Sequence, residues 1–180
     1  MSKKSYLVSV FILISLITGI IKTTKPSTNY ITTDRLSIIS NKPIELPIAK
    51  IIIPKIGIDG EIYNINSREN DVDKNITILK ESIFPNHDNS IIFLAAHSGE
   101  GKIAYFNDLD KLKTNDIVIF QYKDKNYYYS INQIFEEDKD GDIEIIKTSN
   151  KQLVLTTCSR KDKRKQLIVN SNFIKKEEIT

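Results

Sequence analysis

Leu153-Val154-Leu155-Thr156-Thr157-Cys158 is the run on which the fold reading turns. Val154, Thr156 and Thr157 are β-branched, and their stiff side chains suit a pleated strand better than a helix. The run is also short for a helix and is bounded by turn chemistry, so it predicts a buried strand. Ahead of it, Asp140-Gly141-Asp142 marks a turn inside the acidic stretch FEEDKDGDIE (135–144), whose charges keep it out of any core. Behind it, residues 159–165 (SRKDKRK) place five basic side chains within seven positions. Cys158 therefore stands at a strand end, where the backbone holds a side chain firmly.

Working outward, the same pattern recurs. Apolar, β-branched bursts at 50–58, 61–65, 90–95, 116–122, 126–135, 152–157 and 166–173 are separated by Gly, Asn, Asp and Lys. Seven or eight short strands predict an all-β domain, a closed barrel or a sandwich. Helical signals are sparse. In IAYFNDLDKL (103–112), Phe106, Leu109 and Leu112 fall at helical spacing, which predicts one short helix or turn between strands.

The chain has 180 residues, enough for one domain with a core and short for two. Its formal charge of +3 is misleading, because Lys3, Lys4, Lys22 and Lys25 precede any acid; the rest carries 22 basic against 23 acidic residues. That balance excludes the basic face on which nucleic-acid binding depends. Residues 5–21 (SYLVSVFILISLITGII) are uncharged and flanked by those lysines, the pattern of an export signal. Seventeen residues is the lower edge of a bilayer span, and no small-x-small cleavage site follows, so residues 1–22 are read as an uncleaved single-pass membrane anchor over a cleaved signal peptide. The leading lysines put the body of the chain outside the cell. Residues 23–48, mixed Thr, Ser, Asn and Pro, read as a stalk, and residues 49–180 as the folded domain.

Exported chains usually spend cysteines on disulfides, yet Cys158 has no partner in the sequence. The adjacent positive charge favours a thiolate, the nucleophilic form. Of two histidines, His87 lies in the turn-rich PNHDN and is read as a surface residue, whereas His97 ends the apolar run Ile91-Ile92-Phe93-Leu94-Ala95-Ala96 and precedes Ser98-Gly99. Two strands thus each deliver one reactive group at a terminus, and a cysteine and histidine brought together make an acyl-transfer pair.

Four patches together resemble the sortase family, the cysteine transpeptidases of the Gram-positive cell surface, over about residues 49–173. IIIPKIGIDGEIYNI (51–65) resembles the family's Ile-x-Ile-Pro-x-Ile opening strand. NSIIFLAAHSGEGKIAYFNDLDKLKTNDIVIFQY (89–122) resembles the histidine strand, the Phe-x-x-Leu turn and the next strand. LVLTTC (153–158) resembles the Thr-Leu-x-Thr-Cys motif, and RKQLIV (164–169) the arginine that opens the last strand. Val154 stands where the motif has its first Thr, Ala96 where Gly precedes the His, and Gln166 where many relatives have the arginine. Arg164, two residues earlier, keeps the same strand face; Arg160 and Lys165 are the alternatives.

The resemblance implies an eight-stranded closed sortase-type β-barrel with one or two short helices, preceded by an N-terminal transmembrane helix. It implies that Cys158, His97 and Arg164 are catalytic and that Thr157, Ala96 and Ser98 line the peptide site. The partners implied are a sorting-signal peptide of Leu-Pro-x-Thr-Gly type and an amine of a cell-wall precursor or another protein. No cofactor or metal is required by this chemistry. Some relatives bind calcium near the loop 138–150, for which Glu136, Glu137, Asp138, Asp140 and Asp142 offer oxygen ligands, but the glycine spacing differs from an EF-hand and an ordinary acidic turn is the expectation. A hydrolytic cysteine peptidase and a tethered, non-catalytic binding domain are the rival readings.

Overall fold

The computed structural model of the chain describes residues 44–139 and 149–179. The expected anchor, the stalk as far as residue 43, and Asp140 and Asp142 lie outside them. Among the described residues no helix is long and apolar enough to cross a membrane.

Eight strands form one sheet: β1 (Ala49–Ile53), β2 (Ile58–Ile62), β3 (Thr77–Ile78), β4 (Ser90–Ala95), β5 (Ile117–Tyr122), β6 (Lys125–Asp138), β7 (Lys151–Cys158) and β8 (Lys165–Glu178). Their order is β2-β1-β5-β6-β8-β7-β4-β3. A parallel bridge between Ile62, at the end of β2, and Ile76, just ahead of β3, brings the two edges together into a nearly closed barrel. Closure leaves no long unpaired edge. β4 and β7 run parallel; the other ladders are antiparallel.

The burst expected as one strand over 50–58 is two. Pro54 has no N–H for a ladder, and Pro54–Ile56 forms a 3₁₀ turn that Gly57 ends at φ 66, in the left-handed region. Of the short helix or turn expected over 103–112, the structure has successive turns. Phe106, Leu109 and Leu112 do bury, but the amides of Asn107, Leu109 and Leu112 bond to Ala104, Phe106 and Leu109, three residues back, and only Leu109–Lys111 is a regular 3₁₀ turn. Asn107 and Asp108 are residues whose side chains compete with helical hydrogen bonding.

The barrel interior is filled by Ile51, Ile53, Ile62, Leu94, Phe106, Phe120, Tyr129, Leu155 and their neighbours. A second, smaller cluster of Ile91, Phe93, Val154 and Ile168, with Leu79 and Phe135 against it, covers the outer face of β4, β7 and β8. These central strands are thus buried on both sides, which is why LVLTTC reads as a continuous apolar run rather than an alternating one.

Candidate active site at the ends of β4 and β7

Parallel register places Ala95 beside Thr156. The alignment continues past the end of β4: Ala96 N donates to Thr156 O at 3.3 Å, and Thr157 Oγ1 donates to Ala96 O at 2.7 Å. Ser98 Oγ then donates to Cys158 O at 2.7 Å. His97 and Cys158 each lie two residues beyond the Ala95–Thr156 pair. Alternation puts both on the outer face, with Phe93 and Val154, while Thr157 turns inward beside Leu155. Cys158 is partly exposed and in no disulfide. A cysteine and a histidine thus stand just past the ends of two adjacent parallel strands.

Ala96, Ser98 and Thr157, expected to line a peptide site, have their polar groups committed to joining the two strand ends. Thr157 is 6% exposed, and its hydroxyl aligns the two strands. The loop after His97 folds back over the same end: Phe106 N donates to His97 O at 3.0 Å and Gly99 N to Asn107 Oδ1 at 3.0 Å. Across it, Arg160 Nη1 reaches Asn107 O at 3.5 Å.

Arg164 is not gathered into this pair. Its side chain is 87% exposed and grips Asp162, with Nε donating to Oδ1 at 3.2 Å and Nη2 to Oδ2 at 3.0 Å. That grip lowers the Asp162 carboxyl below its ordinary pKa and raises the guanidinium further. Gln166 instead stands directly across from Cys158 in the β7–β8 ladder. Because Ser159 N donates to Lys165 O, the neighbouring Cys158–Gln166 pair is of the non-hydrogen-bonded kind, in which side chains lie closest. Gln166 is buried, and its Oε1 accepts from Thr156 Oγ1 at 3.3 Å.

Two other expectations concern loops. His87 is exposed, and its carbonyl accepts from Lys151 Nζ at 2.8 Å. Of the acidic residues weighed for calcium, Glu136 accepts from Ser159 Oγ at 2.7 Å. Ser159 Oγ also receives the amides of Lys161 and Asp162, organising the turn between β7 and β8.

The sequence offered no hint of Asp73. Its Oδ1 accepts from His97 Nε2 at 2.7 Å across 24 residues of chain. An exposed aspartate in the polar stretch between two strands carries no periodicity or motif that would single it out.

The Sortase domain profile matches residues 51–174, more than two thirds of the chain. The chain belongs to the sortase family. Sortases are cysteine transpeptidases, and the outer-face cysteine and histidine lie within the matched span. Sortase C1 from Streptococcus agalactiae is 26% identical, with a TM-score of 0.60 over 72% of this chain and 68% of that one. Sortase C-3 from Streptococcus pneumoniae has a TM-score of 0.66 at 18% identity, over 78% of this chain and 68% of that one. Sortase A from Corynebacterium diphtheriae aligns at 0.60 and 18% identity, over 74% of this chain and 63% of its own. No curated protein matches this sequence.

Proposed function

We propose that this sortase cleaves a Leu-Pro-x-Thr-Gly-type sorting signal after Thr and joins the acyl part to an amine of a cell-wall precursor or another surface protein. The observation that supports the reading is the parallel register of β4 and β7, which ends at Ala95–Thr156, two residues short of both His97 and the partly exposed, free Cys158. The Cys158 thiolate attacks the Thr carbonyl, forming an S–C bond. The C–N bond then breaks as protonated His97 gives its proton to the departing amine. An incoming amine attacks the thioacyl carbon, its proton passes to His97, and the S–C bond breaks to regenerate the thiolate. Arg164, in the turn just ahead of β8, serves as the peptide clamp by exchanging Asp162 for substrate oxygens. The anchor at residues 1–22 holds the domain on the outer surface of the membrane, where both substrates reside, and none of these steps draws on a metal.

The Asp162-bound Arg164 and the glutamine facing Cys158 favour one rival, a binding domain without turnover. Iodoacetamide labelling separates the two. On the transpeptidase reading Cys158 alkylates readily at neutral pH and His97→Ala slows peptide cleavage by about 10²–10⁴-fold. A thiol that resists alkylation in the folded protein supports the binding domain instead.

A further inference from the structure

A short polar contact on the His97 ring comes from a segment that the transpeptidase reading has not used. Residues 63–76 leave β2 and return to β3 as a chain of turns fixed by their own side chains. Asn70 clamps the far end: its Oδ1 accepts from Ile78 N at 2.8 Å and its Nδ2 donates to Ile78 O at 3.1 Å. Asn75 Nδ2 donates to Glu69 O at 3.0 Å, and Ile76 is 1% exposed in the core. Between these two anchors, Asp71 receives the amides of Asp73, through its carboxylate, and of Lys74 and Asn75, through its carbonyl. Asp73 is therefore delivered to His97 by an ordered turn.

The neighbouring charges leave its carboxylate available. Lys74, the adjacent cation, turns the other way: its Nζ donates to Arg68 O and pairs with Asp71 and Glu69 at 3.7 and 3.9 Å. The Asp73 carboxylate meets His97 Nε2. A carboxylate on one ring nitrogen holds an imidazole in a single orientation and tautomer, with the proton on the bonded nitrogen. Nε2–H is thus committed to Asp73, and Nδ1, the nitrogen nearer the backbone, is left as the ring's other proton-carrying atom.

We propose that Asp73 is a positioning residue for His97: by holding Nε2–H it directs Nδ1 to the reacting atoms, so that the proton given to the leaving amine departs from Nδ1. This rests on the transpeptidase reading of Cys158 and His97. Asp73 is 77% exposed, so the contact acts through orientation and little through stability.

The test uses the full-length chain in detergent micelles, labelled with ¹⁵N-histidine. Its two histidines make His87 an internal control and His97→Ala the assignment. In wild type, neutral His97 gives the signature of a proton on Nε2; Asp73→Ala shifts it toward the tautomer mixture of a free imidazole, and Asp73→Asn, which keeps an acceptor, shifts it less. With a cleavable sorting peptide, Asp73→Ala lowers kcat by about 10–100-fold while KM stays within about twofold, the pattern of a misplaced group rather than lost binding. The melting temperature stays close to wild type. An unchanged His97 spectrum in Asp73→Ala overturns the proposal, as does a kcat within about twofold of wild type. If wild type turns over no peptide, the transpeptidase reading fails while the ring signature still decides the Asp73–His97 contact.

Discussion

Two arginines follow Cys158 within six positions, and their surroundings differ. Arg160 leans across to the backbone of the loop behind His97, whereas Arg164 is folded onto Asp162. The Asp162 carboxyl is lowered chiefly by the side-chain and backbone hydrogen bonds from Arg164. A depressed carboxyl favours the folded turn at pH above its unfolded pKa, and that contribution is lost as pH falls through the lower folded value. Arg164→Ala should therefore bring the Asp162 carboxyl back up toward the ordinary aspartate range, read as its ¹³C chemical-shift titration. An Asp162 titration that stays put in Arg164→Ala would mean the ion pair is not what holds it. His97 and Cys158 were legible in the sequence because each closes an apolar run, and a strand end is a definite place. That their strands are neighbours was less so, since it depends on parallel register between strands more than fifty residues apart. Asp73 left no trace in the sequence at all, and Gln166 was visible only as a departure from the family's arginine.

Between β2 and β3 the barrel is closed by a very close approach. A Cβ built on Gly60 would lie 2.4 Å from Ile76 Cδ1, and Ile76 has little room to give because it is 1% exposed. Gly60→Ala should cost about 1–3 kcal/mol through this overpacking, measured by denaturant unfolding. A variant as stable as wild type would show that Ile76 repacks freely and that the closing bridge is not tightly held. Most strands were legible from β-branched bursts, because burial and side-chain stiffness act locally. The failures have local causes too. Pro54 broke an apparent single strand. β3, only Thr77–Ile78, is too short for any periodicity to show. The far end of β8 runs past Phe173 to Glu178 because β6 supplies partners as far as Lys125, a pairing that an exposed lysine and glutamate run does not announce.

Taken whole, the barrel explains why one end is held rigidly. β4 and β7 are buried on both faces, so their ends are stiff, and the hydroxyls of Thr157 and Ser98 lock the two termini together where the ladder stops. A site on stiff strand ends holds its geometry better than one on loops alone. The closed eight-stranded architecture and the family were legible from motif order, His97 then Cys158 then the basic run, because that order fixes which strands carry the chemistry. The central claim is covalent catalysis at Cys158, and intact-protein mass spectrometry on the domain mixed with Leu-Pro-x-Thr-Gly-type peptides and a glycine-based amine tests it most directly. The account predicts a thioacyl adduct on Cys158, cleavage after Thr and a ligated product, all lost in Cys158→Ala. Peptide binding without adduct or cleavage across the panel would contradict it and leave a sortase-fold domain that recognises but does not react.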